Sequence, residues 1–339
     1  MYGEECLFLW KLLILKQTIM DKPYVIGIDM GGTNTAFGIV DRRGEILFRG
    51  SISTLGYVKG EDYVNDLGNA INDLIENNGL KDKIKGMGMG VPNGNMNDGT
   101  IENAANIPWA KGVIVPLAAM MNEKTGLPCK LTNDANAAAI GEMAYGAAKG
   151  MKDFIVITLG TGVGSGIVAN GQLVVGHDGF AGELGHVRIV RENGRACGCG
   201  RTGCLETYTS ATGVARTARE FLETQPNRES VLREIQHRPI TSKDVYEAAK
   251  KGDELAIEIF NFTGKILGEA FCDFISFSSP KAIILFGGLA NSGNFLLEPI
   301  KKAIDDNILF VYRGKTDIII SGLNDAEAAI LGASALAWE

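Results

Sequence analysis

The chain has 339 residues, 45% of them hydrophobic and 22% charged, with a formal net charge of -7. At roughly 150 residues per domain this is room for two domains. The balance excludes wholesale disorder, collagen-like repeats and a multi-span membrane protein, and the acidic excess argues against a general nucleic-acid binder. Six cysteines in a chain this long do not make a disulfide scaffold and point to a thiol-reduced, cytoplasmic setting.

The chain opens on an apolar run, Leu7 to Leu15, broken by Lys11 and far short of the ~20 residues that span a bilayer. Glu4 and Glu5 precede it and no small-residue cleavage site follows, so it does not read as a signal peptide. Residues 1–22 are expected to be a short extension, with Met20 as an alternative start. Tyr24 to Asp29 then reads as a buried strand. Gly31 and Gly32 turn the chain, Ala36 to Val40 form a second strand, 41–44 a turn, and Glu45 to Phe48 a third strand. The same plan returns later: strand Phe154 to Leu159, a glycine turn, a second strand, an Asn170-Gly171 hairpin signal and a strand Gln172 to Val175. Gly38-Ile39-Val40 aligns with Gly166-Ile167-Val168, which suggests two similar α/β lobes.

Helical patterns fill the intervals. Residues 62–77 carry Val64, Leu67, Ile71, Leu74 and Ile75 on one stripe and stop at Asn78-Gly79. Residues 135–148 are a helix of small residues, 254–277 a long apolar helix ended by Pro280, and 325–337 an alanine-rich closing helix. Strands are expected at 281–286 and 317–321. Alternating strands and helices mean an α/β architecture.

Several motifs carry chemistry. The run 160–166 superficially matches a dinucleotide fingerprint, but a strand follows it where that fingerprint requires a helix. No G-x-x-x-x-G-K-[ST] occurs either. Two hairpin loops remain, Gly31-Gly32-Thr33-Asn34 and Gly160-Thr161-Gly162. Glycines let backbone N–H groups approach phosphate oxygens closely, and two equivalent loops suit a clamped phosphate better than ligand-free hairpins. Asp29, ending the first strand, is either a turn cap or a carboxylate for Mg²⁺. Asp134, after Asn133 where a strand gives way to a helix, is either an N-cap or a general base. Cys197, Cys199 and Cys204, with His186 upstream, make a closed Cys₃His set for a structural Zn²⁺; three free thiols or a redox pair are the other readings. Glu183 and Glu206 flank that set and suit the hydroxyls of a polyol, unless they are ordinary surface glutamates. Cys6, Cys129 and Cys272 are isolated and read as core residues.

Taken together, the run from Asp29 to Gly38, Asn133-Asp134, Thr158 to Gly162, Glu183-Leu-Gly-His186, the stretch Cys197 to Glu206 and Gly287-Gly288 resemble the ROK family of repressors and kinases, from about Tyr24 to the C-terminus. The resemblance implies a duplicated actin-like, hexokinase-type fold, with two lobes about a central cleft. One lobe would be 23–133, with the closing helix packed on it, and the other 134–324. It implies ATP-dependent phosphorylation of a hexose at its 6-hydroxyl, most commonly glucose, with Mg²⁺ accompanying ATP. By the same resemblance Asp134 is the base, and Asn106, Asn133, Glu183, His186 and Glu206 are sugar ligands together with Asp134. Asp29, Gly31, Gly32, Thr33, Asn34, Gly160, Thr161 and Gly162 serve ATP phosphate, and Gly287 and Gly288 the adenosine. His186 serves zinc and sugar with its two ring nitrogens.

Two departures lie near the sugar rim: an inserted Asn93 within 91–94, and Ala105 where a proline often precedes the asparagine now at 106. They bear on the identity of the sugar, leaving N-acetylmannosamine, N-acetylglucosamine and fructose beside glucose. Repressors of the family carry a winged-helix domain of ~60–80 residues ahead of the first loop, within ordinary domain size. Twenty-eight residues precede Asp29 here, which disfavours a DNA-binding regulator, and a non-catalytic sugar binder is disfavoured because it would not need Asp134, the Mg²⁺ site and both loops intact. The expected partners are ATP and a hexose, with no nucleic acid and no membrane, in a homodimer or homotetramer.

Overall fold

A computed structural model of the chain describes residues 22–323 and 325–338, apart from the side chains of Asp325 and Ala326. The extension expected over 1–22, with Cys6, lies outside the described residues except for Lys22. The chain divides into two compact units: one runs through Tyr145 and resumes at Ala326, and the other is Gly146–Asp325.

The first unit is built on β1 (Tyr24–Met30), β2 (Asn34–Asp41), β3 (Ile46–Ser53), β4 (Ile84–Gly90) and β8 (Cys129–Thr132), in the sheet order β3-β2-β1-β4-β8. β1 is antiparallel to β2 and parallel to β4, and β8 continues the parallel run. Between β4 and β8 lie short strands β5 (Gly94–Asn95), β6 (Thr100–Glu102) and β7 (Ile114–Val115). Helix α1 (Gly60–Asn77) turns Tyr63, Val64, Leu67, Ile71 and Ile75 inward, with Leu74 packed at the margin of that core. Helices α2 (Leu117–Thr125) and α3 (Asp134–Tyr145) complete the first pass of the chain. The small-residue run of α3 stops at Tyr145, and the division between units falls after this helix rather than before Asp134.

The second unit repeats the plan. Its sheet joins β9 (Phe154–Leu159), β10 (Val163–Ala169), β11 (Gln172–Leu173), β12 (Ala282–Phe286) and β13 (Asp317–Ile320) in the order β11-β10-β9-β12-β13. β10 is antiparallel to β9 and β11, whereas β12 runs parallel to β9 and β13. The two sheets thus share strand order and direction, the duplicated α/β arrangement of the actin-like fold. β11 is shorter than expected: Val174 N–H still donates to Ile167 O of β10 at 2.8 Å, but the Val175 carbonyl accepts from Ala181 N–H at 3.0 Å, and the ladder goes no further. Around this sheet stand α4 (Glu206–Thr209), α5 (Ala211–Thr224), α6 (Ser242–Lys250), α7 (Glu254–Ser278) and α8 (Asn294–Asn307). Asp253 caps α7 by accepting from Ala256 N–H, and Ser279, left-handed at φ 47, ends it before Pro280. Leu255, Ile259, Phe260, Leu267, Phe271 and Ile275 of α7 form much of this unit's core.

Helix α9 (Asp325–Leu336) returns to the first sheet, and two strand glycines explain how it docks. Gly27 and Gly88 pair across β1 and β4. A Cβ on Gly27 would sit 2.0 Å from the Ile330 carbonyl oxygen, and one on Gly88 1.9 Å from that of Ala333. Glycine costs a strand conformational entropy; here it lets a helix backbone lie directly on the sheet. Trp338 Nε1 then donates to Tyr145 Oη at 2.6 Å. No helix of the described residues is long and apolar enough to cross a membrane.

Candidate active site

In α/β sheets ligands bind beyond the carboxyl ends of the parallel strands, and the first unit gathers there the residues that its sequence singles out. Asp29 pairs with Gly90 and Gly90 with Thr132, so Asp29 near the end of β1 and the Asn133-Asp134 step after β8 stand at one level, with the end of β4 between them. The loop 31–34 is a hairpin closed by Gly31 N–H on the Asn34 carbonyl, at 3.0 Å. Asn106 flanks it: a Cβ on Gly32 would lie 3.5 Å from Asn106 Cβ.

Which residue caps α3 decides what Asp134 is free to do. Asn133 Oδ1 accepts from Asn136 N–H at 2.7 Å, the N-cap geometry. Asp134 is therefore the first helical residue, and its carboxylate takes a hydrogen bond from the adjacent Ala135 N–H, at 2.9 Å. Burial pushes Asp134 above the ordinary carboxylate range, opposed by hydrogen bonds from backbone N–H groups. Burial, and then the neighbouring Asp134 charge, push Asp29 up to about 6. Asn93 takes up a left-handed conformation at φ 51. Its Nδ2 donates to the carbonyls of Glu102 and Asn103 at 3.0 and 3.2 Å, tying the segment that leads to Asn106.

The second unit holds the other predicted residues. Gly160 N–H closes the second hairpin on the Gly162 carbonyl at 3.1 Å. A Cβ on Gly287 would lie 2.9 Å from the Leu159 oxygen, so Gly287-Gly288 abuts the end of β9 where the hairpin begins. The start of α5 docks on this turn through Ala211 N–H to Gly160 O and Thr212 Oγ1 to Thr161 O, both 2.8 Å. Gly185, inside the Glu183–His186 motif, lies on β10 so closely that a Cβ would meet the Val163 oxygen at 1.9 Å. The motif glycine is a packing requirement that presses the turn onto the strand.

His186, Cys197, Cys199 and Cys204 present ligand atoms all within 4.8 Å of one another. His186 Nδ1 is 3.6 Å from Cys197 Sγ, and the Cys199 and Cys204 sulfurs are 3.7 Å apart. A tetrahedron with Zn–S bonds of 2.3 Å has S···S edges of about 3.8 Å, so the donor set fits zinc in both chemistry and size. Burial works against ionising Cys199, but hydrogen bonds from Arg201 backbone and side chain hold it down to about 6, the thiolate a metal needs. His186 Nε2 lies 4.0 Å from Glu183, and Glu206 Oε1 lies 2.9 Å from Cys197 Sγ and 3.6 Å from His186 Nδ1. Cys272 is buried and Cys129 half-buried, each apart from this set.

Arg195, which sequence reasoning passed over, is 7% exposed and braces this loop. Its guanidinium donates to Thr207 O, Thr217 Oγ1 and Glu220 Oε2, and it stacks 4.4 Å from the Tyr208 ring. Its backbone N–H donates to Tyr208 Oη at 2.9 Å. The buried cation is thus fully partnered and joins the cysteine loop to α4, which Glu206 opens, and to α5. A lone arginine ahead of a cysteine cluster carries no local signal for such a role.

The glucokinase of Halalkalibacterium halodurans is 38% identical over 285 residues, 84% of this chain and 86% of that protein. The glucokinase of Thermotoga maritima is 32% identical over 94% of this chain and 99% of its own length. The crystal structure of a ROK family glucokinase from Streptomyces griseus, in complex with glucose and AMPPNP, superposes with a TM-score of 0.75 at 33% identity, over 92% of this chain and 98% of that one. The sequence pattern of the ROK family is matched from residue 25 to residue 339. Since that match takes in both glycine hairpins, both sheets and the cysteine loop, the chain belongs to the ROK family.

Proposed function

We propose that the protein transfers the γ-phosphoryl group of ATP to the 6-hydroxyl of glucose. The observation that carries this reading is Asp134: a buried carboxylate at a strand-to-helix junction, relieved of capping by Asn133 and held in a raised pKa range. A carboxyl so placed accepts a hydroxyl proton late in phosphoryl transfer and orients the oxygen before it. The glucokinases at 32–38% identity support glucose as acceptor, and the glucose and AMPPNP of the Streptomyces griseus structure support the sugar–ATP pair.

The remaining roles follow from chemistry. Asn106, Asn133, Glu183, His186 and Glu206 hydrogen-bond the sugar hydroxyls. Gly31 and Gly160 use their N–H groups to close the hairpins, so Gly32, Thr33, Asn34, Thr161 and Gly162 supply the phosphate donors. Gly287 and Gly288 accommodate the adenosine. Asp29 holds the Mg²⁺ that accompanies ATP, and that ion neutralises phosphate charge when bound. His186 Nδ1, Cys197, Cys199 and Cys204 hold a structural zinc, which leaves Nε2 of His186 for the sugar. Asn93 serves the loop rather than the sugar, its Nδ2 being taken up by two carbonyls.

The test is ADP release coupled to a reporter, across glucose, fructose, mannose, N-acetylglucosamine and N-acetylmannosamine. Glucose is expected to give the highest kcat/KM, because a site built of hydrogen-bond donors and acceptors rejects analogues that leave its groups unpaired. A higher kcat/KM for an N-acetylated sugar or fructose would overturn the choice of sugar, and no turnover of any hexose would overturn the kinase.

A further inference from the structure

A cavity of about 550 Å³ opens beside the Glu183–His186 turn, lined by Glu183, His186, Val187, Arg188, Arg191 and Arg201. Three guanidiniums face one carboxylate there, in a protein whose net charge is -7. Arg201 hydrogen-bonds the Cys199 thiolate, whereas neither Arg188 nor Arg191 pairs with a carboxylate among the described residues. Glu206, the carboxylate beside His186, is engaged with that ring.

Two of the guanidiniums are held in place by backbone carbonyls. Arg188 donates from Nε to Thr202 O at 3.0 Å and from Nη2 to Arg191 O at 2.7 Å. Arg201 donates from Nη2 to the His186 carbonyl at 2.8 Å. Neutral carbonyls fix the plane of Arg188 and leave its other N–H group available, while Arg201 also spends a hydrogen bond on Cys199, so Arg188 and Arg191 carry most of the free donor capacity. A planar fork oriented in advance matches the oxygens of a phosphate and loses little entropy on binding one. The volume is in the range of small-molecule sites and exceeds what a lone phosphate fills.

We infer that this cavity binds a phosphate-type oxyanion, as inorganic phosphate or as the phosphate of a sugar monophosphate. Glu183 and His186 form part of its wall, and Arg201 grips the His186 carbonyl. On the reading that these two residues hold the sugar, an occupied cavity weakens glucose binding and leaves the nucleotide site alone. The proposed reaction makes such a ligand, glucose 6-phosphate.

The experiment titrates inorganic phosphate, and separately glucose 6-phosphate, into the full chain without nucleotide or sugar, by calorimetry. The wild type is compared with Arg188→Met/Arg191→Met and with Arg191→Met alone. The single variant removes a guanidinium that makes no hydrogen bond with the described residues, so it keeps the test valid if the double variant folds poorly. Binding at least ~10-fold weaker in the double variant and ~3-fold weaker in the single one is expected, from the strength of charge-assisted bonds. Tighter binding of glucose 6-phosphate than of phosphate would assign the cavity to the sugar phosphate, and equal binding to the free ion. Undetectable binding, or equal affinity in wild type and variants, would overturn the inference. Inhibition kinetics with inorganic phosphate, which is not a product at the sugar site, separate it from the sugar assignment: phosphate should raise the glucose KM of the wild type at constant kcat. If binding depends on the arginines but the glucose KM does not move, the oxyanion site stands and the placing of Glu183 and His186 at the sugar fails.

Discussion

Asp29 is expected to destabilise the protein that needs it. Its carboxyl titrates at 3.8 in a free chain and is pushed up to about 6 in the fold, first by burial and then by the Asp134 charge. The folded state therefore holds the proton more tightly than the unfolded one. Stability falls as the pH rises from 3.8 through 6, and the loss is complete above that window. About two pKa units at 1.36 kcal/mol each amount to roughly 3 kcal/mol at pH 8. Asp29→Asn keeps the shape and removes the charge. Without nucleotide and Mg²⁺, the variant should be more stable than the wild type by up to about 3 kcal/mol at pH 8, with the gap closing towards pH 4. Urea unfolding at pH 4.5, 6 and 8 measures this directly. The same variant should lose most of its Mg²⁺-dependent kinase activity, and Mg²⁺·ATP should stabilise it less than it stabilises the wild type. Equal stability of the two proteins at pH 8, or a gap that does not change with pH, would refute the reasoning.

Asp134→Asn should lower kcat by at least ~10²-fold while the glucose KM moves only a few-fold, since the loss falls on proton transfer; near-native kcat would remove Asp134 from the role of base. Elemental analysis of the chelator-free, reduced protein should find one zinc per chain. Cys199→Ser should lose it and raise the glucose KM while nucleotide binding persists, because the hairpin 160–162 is pinned separately by α5; full activity in that variant would refute the organising role of the metal. Gly88→Ala places a Cβ 1.9 Å from the Ala333 oxygen and should cost at least ~3 kcal/mol in urea unfolding, by displacing α9 from the sheet; a shift below ~1 kcal/mol would refute the seat.

Part of this fold is settled by neighbouring residues among themselves. The two glycine hairpins, their third strands and the Asn170-Gly171 turn were legible because strand alternation and turn chemistry act over a few residues. The cysteine cluster was legible because its donors sit in one short run, with His186 just upstream. The roles at Asp134, Asn106 and Gly287 came through the resemblance, since nothing local distinguishes them. Tertiary structure decided the rest. Asn133 and Asp134 are adjacent, and either can cap a helix; only the helix start in space shows Asn133 Oδ1 on the Asn136 N–H. Gly27 and Gly88 look like weak points in two strands until α9, from the far end of the chain, lies across them. The Asp134 charge raises the cost of ionising Asp29 only because β1 and β8 end at one level with β4 between them. Arg195 joins a loop to helices that follow it, and Arg188, Arg191 and Arg201 share a cavity by the folding of that loop. Packing and charge act through space, with no dependence on sequence separation, so these contacts leave no periodic or spaced signal in the chain.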